Sequence, residues 1–168
     1  MTVRRASVPA LALMSTGAMA IALAACGFHL QGSANLPAVA GEPFIEAPDP
    51  YSEFYRALTT TLTRSGAKPV EDRENASMLL IVRQDETGQR VLSVSARNVP
   101  TEYEVFYTVS FELRRGEEIL IPLQSITLTQ DYVYDVTDVL AKSLEEQNLR
   151  EALARDIAQM IIRRLASL

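Results

Sequence analysis

The chain has 168 residues, 16 basic and 21 acidic, and 48% of it is hydrophobic, which suits a single domain with an ordinary core. One cysteine, Cys26, rules out an internal disulfide and any Cys-rich zinc site. His29 is the one histidine, which nearly excludes a His-based metal cluster or a catalytic triad.

Residues 1–25 read as an export signal: Arg4 and Arg5 supply a positive start, and no charge follows from Val8 to Ala25. Such an uncharged run is also long enough to cross a bilayer, but Pro9, Gly17 and many alanines dilute its hydrophobicity. Leu23-Ala24-Ala25-Cys26 resembles the bacterial lipobox, a branched apolar residue and two small residues before a cysteine. That resemblance implies cleavage before Cys26 and acylation there, the thiol acting as nucleophile and the small neighbours giving access. At about 0.8 kcal/mol per buried methylene, several acyl chains hold a protein on a membrane permanently. Gly27 stands where Asp would signal retention in the inner membrane by the enterobacterial sorting pattern, so an outer-membrane address is expected. Without Arg4 and Arg5, 14 basic residues face 21 acidic ones, a formal charge of −7 that disfavours nucleic acid as a partner.

Residues 26–41, rich in Gly, Ala, Ser, Asn and Pro, read as a lipidated tether, and 42–168 as one α+β domain. Glu42 to Pro48 is a short strand candidate hemmed in by prolines. Asp49-Pro50 offers a cap and first position for a helix over about 50–65, with Phe54, Leu58 and Leu62 as its apolar stripe, Tyr51 and Tyr55 beside them, and Gly66 as its stop. Met78 to Ala96 reads as strand, interrupted near Glu86-Thr87-Gly88, so either one bent strand or a hairpin. Tyr103, Val105, Tyr107, Val109, Phe111 and Leu113 alternate with polar residues, Phe106 being the exception. Arg115-Gly116-Glu117 turns into a strand from Glu118 to Tyr134. Its apolar phase switches from Ile119, Ile121 and Leu123 to Ile126, Leu128, Tyr132 and Tyr134, which predicts a bulge near Gln124–Ser125. Asp138 can cap a final helix to about Ala166, striped by Leu140, Leu144, Leu149, Leu153, Ile157, Met160, Ile161 and Leu165. The order β-α-β-β-β-α predicts two helices packed on one face of a mostly antiparallel four-stranded sheet.

Catalytic constellations are scarce. Glu145 and Glu146 are adjacent on a helix and point about 100° apart, which suits a solvated face. Asp131 and Asp135, flanking Tyr132-Val133-Tyr134, read as turn or cap residues, and Ser93 and Ser95 have no histidine near in sequence. No Gly-rich phosphate loop is present. A non-enzymatic protein without metal or cofactor is expected. Arg97, in the loop before the alternating strand, and Lys142, early in the last helix, are either solvated surface charges or contacts for an anionic lipid head group.

Cys26-Gly27-Phe28-His29-Leu30-Gln31-Gly32, Thr101-Glu102-Tyr103, Leu140-Ala141-Lys142, Glu145-Glu146-Gln147 and Ile162-Arg163-Arg164-Leu165, in this order, resemble the lipopolysaccharide-assembly lipoprotein family, LptE. The resemblance implies an outer-membrane lipoprotein on the periplasmic side, anchored through acylated Cys26. It would plug the lumen of the LptD β-barrel and bind lipopolysaccharide for delivery to the cell surface. It also implies that Arg97 and Lys142 match basic positions associated with lipopolysaccharide. Gln31 departs from the arginine common in the family opening, and the acidic C-terminal tail of some members is absent. The competing readings are an auxiliary lipoprotein of another lipid transporter and a periplasmic hydrolase, the second opposed by the missing histidines.

Overall fold

The computed structural model describes residues 36–37, 40–133 and 139–168. The expected signal peptide, Cys26, most of the tether, Tyr134, Asp135 and Asp138 lie outside the described residues.

Prolines keep the first strand short: β1 is Pro43–Glu46, paired in parallel with the start of β2, Met78–Val94. Its surroundings are dense in backbone bonds. Lys68 N–H donates to the Gly41 carbonyl at 2.7 Å, Val70 to Pro43 at 3.0 Å and Ser77 to Glu42 at 2.8 Å. The rest of the sheet is an antiparallel meander of β2, β3 (Pro100–Arg115) and β4 (Glu118–Val133), in spatial order β1-β2-β3-β4. Helix α1 (Glu53–Arg64) connects β1 to β2, and α2 (Val139–Leu165) follows β4. This is the expected order and fold class, with β1 making the sheet mixed.

Helix α1 starts later than expected. Asp49 accepts from Tyr51 N–H at 2.8 Å in a turn, and Ser52 is the cap, its Oγ accepting from Tyr55 N–H at 3.0 Å. Ser52 wins because its hydroxyl also donates to Asp85 of β2 at 2.5 Å, a tertiary contact that exposed Asp49 lacks. Tyr51, 81% exposed, stays out of the stripe, whereas Phe54, Leu58 and Leu62 are fully buried. Gly66 ends the helix in the left-handed conformation at φ +89°.

Strand β2 is one strand, not a hairpin. Its ladder with β3 runs unbroken through Glu86, Thr87 and Gly88, and its irregularities fall instead at Val82/Gln84 and around Ser93. Gly88 lies directly opposite Phe106, whose ring covers it so closely that a Cβ on Gly88 would sit 2.7 Å from Phe106 Cζ. The interrupting glycine and the misplaced phenylalanine are therefore one feature on the open face of the sheet. In β4 the shift comes earlier than Gln124–Ser125: Pro122 and Leu123 fall between the partners of Phe111 and Leu113. Ile119 and Leu123 are consequently exposed and only Ile121 of the odd set is buried.

The core lies between the sheet and both helices. Leu80, Val82, Val105, Tyr107, Val109, Phe111 and Leu113 meet the α1 stripe and Leu153, Ala154, Ile157, Ala158, Ile161, Ile162 and Leu165 of α2. Each large side chain here stabilises by about 1.5–3 kcal/mol relative to exposure. The stripe expected for α2 holds over its second half only. Leu144 is 62% exposed and Met160 also reaches solvent; the Leu140 side chain lies outside the described residues.

Candidate functional site

Two polar assemblies stand out, and only one opens to solvent. The closed one is a clamp on the start of α1. Asp85 accepts from Ser52 Oγ and from Tyr107 Oη at 2.9 Å, while Tyr107 Oη itself accepts from Phe54 N–H at 3.2 Å. Burial pushes the Asp85 carboxyl above its usual range, with the Ser52 and Tyr107 hydrogen bonds opposing and the charges of Asp49 and Glu53 adding to the rise. Burial, reinforced by the Asp85 charge, also raises Tyr107. Every polar atom of this set serves a neighbour within the fold, so its role is to fasten helix to sheet.

The open assembly lies where β2 turns into β3 and where β4 ends. The hairpin loop is Ala96-Arg97-Asn98: Asn98 N–H donates to the Ser95 carbonyl at 2.9 Å, Ser95 N–H to the Val99 carbonyl at 2.8 Å, and Asn98 is left-handed at φ 58°. Arg97 sits at the tip, exposed. The antiparallel register places the last rungs of β2, the first of β3 and the last of β4 at this same end. One rung carries Val91, Tyr103 and Tyr132, the two rings stacked with centroids 5.8 Å apart. Tyr132 Oη donates to Gln89 at 2.9 Å, which fixes that ring.

Lys142 lies over the Tyr132 ring, its Nζ 5.9 Å from the centroid and 2.6 Å from Glu145 Oε2. Leu92, Glu102, Asp131, Tyr132, Val133, Lys142 and Glu145 line a depression of about 430 Å³. Arg97 shares this end of the sheet but is not among the lining residues. Exposed aliphatic side chains gather at the same end: Val91, Leu92, Val94, Val99, Val133 and Leu144. The arrangement suits an amphiphile, with a cation for an anionic head and apolar side chains for its chains.

Glu145 and Glu146 do not act as a pair, since Glu146 turns to Arg150 while Glu145 takes Lys142. Asp131 lines the depression, and among the described residues no three His, Cys, Asp or Glu side chains are grouped to hold a metal. Sequence reasoning missed Glu145 as a partner of Lys142, although the i, i+3 spacing was available to find it. It also missed the aliphatic cluster, whose signal is the non-alternating Val91-Leu92-Ser93-Val94 at a strand end.

Comparison with known proteins fits this architecture. Residues 44–165 match the family model described as LptE, lipopolysaccharide-assembly. The chain is 28% identical over 154 residues to the LPS-assembly lipoprotein LptE of Pectobacterium atrosepticum, covering 90% of this chain and 83% of that one. It is 25% identical to the LPS-assembly lipoprotein LptE of Yersinia enterocolitica, over 91% of this chain and 74% of the relative. Among solved structures it resembles a lipoprotein B from Nitrosomonas europaea at a TM-score of 0.69 and 27% identity, covering 84% of this chain and 91% of that one. The rare lipoprotein B from Shewanella oneidensis is similar at a TM-score of 0.65 and 25% identity, covering 75% and 94%. The family match spans most of the domain and every element described above, and this chain belongs to the LptE lipopolysaccharide-assembly family.

Proposed function

We propose that this protein is a non-enzymatic outer-membrane lipoprotein of lipopolysaccharide assembly, anchored through acylated Cys26, that plugs an LptD-type β-barrel and binds lipopolysaccharide at the Lys142 end of its sheet. Family membership and relatives named as LPS-assembly lipoproteins support the role in assembly and the outer-membrane address. The observation that carries lipopolysaccharide binding is Lys142 on Tyr132 with exposed Leu92 and Val133 lining the same depression, and Arg97 on the neighbouring hairpin. Cations meet phosphates and aliphatic side chains meet acyl chains, whereas a water-soluble anion needs no apolar surround.

The open face of the sheet supports residence in a polar lumen. Glu104, Thr108, Ser110 and Glu112 of β3 face outward and bond to Arg90, Thr127, Gln84 and Arg83, so this face presents paired polar groups and not a lipid-compatible surface. A large outer-membrane barrel has a polar interior of matching character.

The test is a charge-reversed variant, Arg97→Glu with Lys142→Glu. Lipopolysaccharide should no longer co-purify with it, while circular dichroism stays that of the wild type. Undiminished co-purification would refute the binding site. Affinity purification of the lipidated protein should bring down a heat-modifiable barrel; a lipid-transport complex without one would overturn the plug reading.

A further inference from the structure

We infer that Glu145 is the resting counter-ion of Lys142, and that an anionic head group binds by taking its place. This rests on the reading of Lys142 as a phosphate contact.

The Lys142 side chain is only 21% exposed and lies against an aromatic face, so its ammonium has lost part of its water. A partly desolvated charge needs compensation when no ligand is present. Glu145 supplies it from one helical turn away at 2.6 Å. Among the described residues, the other carboxylates lining the depression are Glu102 and Asp131, and no second Lys or Arg lines it. A phosphate arriving there therefore cannot sit beside an intact Lys142–Glu145 pair without adding a negative charge to three. It has to displace Glu145, whose side chain is 45% exposed and free to swing into water. Glu146 provides the contrast: it is more enclosed, at 20%, and bonded to Arg150, so it does not answer to Lys142.

The exchange lowers affinity by design. A lipid passing through a transport complex must leave each contact as readily as it arrives, and a built-in competing carboxylate shortens its stay.

The test uses the full-length lipidated protein in detergent, titrated with purified lipopolysaccharide. Glu145→Gln should bind about two- to fivefold more tightly, the range set by the strength of a half-exposed ion pair. Glu146→Gln removes the same negative charge one residue away and should change binding by less than about twofold. Lys142→Ala should weaken binding, and Glu145→Gln should gain nothing in the Lys142→Ala background. Equal or weaker binding by Glu145→Gln, or an equal gain from Glu146→Gln, would overturn the counter-ion role while leaving the site intact. Unchanged binding by Lys142→Ala would overturn the site itself, and the inference with it.

Discussion

Replacing Tyr107 by Phe removes one oxygen from the centre of the clamp and leaves the ring, which is 1% exposed, in place. Two consequences follow from the geometry. Phe54 N–H, in the first turn of α1 and without an intrahelical acceptor, loses its partner at 3.2 Å. A buried donor left unsatisfied costs about 1–3 kcal/mol. Asp85 loses its 2.9 Å donor and keeps only Ser52, a further loss of about 1.5 kcal/mol for a bond to a partly buried carboxylate. Against these, the hydroxyl need no longer be dehydrated, so the net destabilisation should be about 2–4 kcal/mol. Urea unfolding of the purified protein, followed by circular dichroism, should show a lower midpoint at unchanged slope. A double-mutant cycle with Asp85→Asn should return a coupling of about 1 kcal/mol. A loss below about 0.5 kcal/mol would mean that water serves both groups, and the clamp would not be a fastening at all.

The same carboxylate makes a pH prediction with a definite sign. Because burial raises Asp85 above 3.8, folding favours its neutral form; that contribution is full below 3.8 and is lost as pH rises through the raised value. Asp85→Asn stays neutral, so its urea midpoint should gain on the wild type as pH climbs above 3.8, and a pH-independent difference would contradict this. Gly88→Ala should cost about 1 kcal/mol, since its Cβ forces Phe106 to swing aside, and a rise in the exposure of the ring would show in hydrogen exchange of β3. Asn98→Gly should leave stability unchanged while Asn98→Ala costs about 1 kcal/mol, because only the first accepts the left-handed backbone; equal midpoints would contradict the turn. Leu144→Ser should be neutral in thermal unfolding, whereas Ile157→Ala should cost about 2–5 kcal/mol. The Leu144 variant should nevertheless bind lipopolysaccharide less well.

What could be read from the sequence was what one element decides for itself. Phe54, Leu58 and Leu62 repeat at the helical period and are buried together, and the alternation from Val105 to Leu113 marks the core face of β3. What could not be read depends on a partner far along the chain. Ser52 outranks Asp49 as a cap because of Asp85, and Gly88 sits inside a strand because Phe106 covers it. The site divides in the same way. Lys142 stands out in the sequence as a cation early in the last helix, but Tyr132 beneath it comes from another element, and the acidic lining is assembled from β3, β4 and α2.

The way the chain enters the domain has a mechanical consequence. Any tension carried along the preceding chain meets core-buried Ala40 and then residues 41–43, where four hydrogen bonds tie them to Lys68, Val70 and Ser77, and where β1 lies parallel to β2. Force drawn along β1 loads those bonds and the parallel ladder together, in shear, and does not peel them one at a time. Four residues of strand can therefore serve as a grip: the domain holds its shape while the chain that leads into it is pulled.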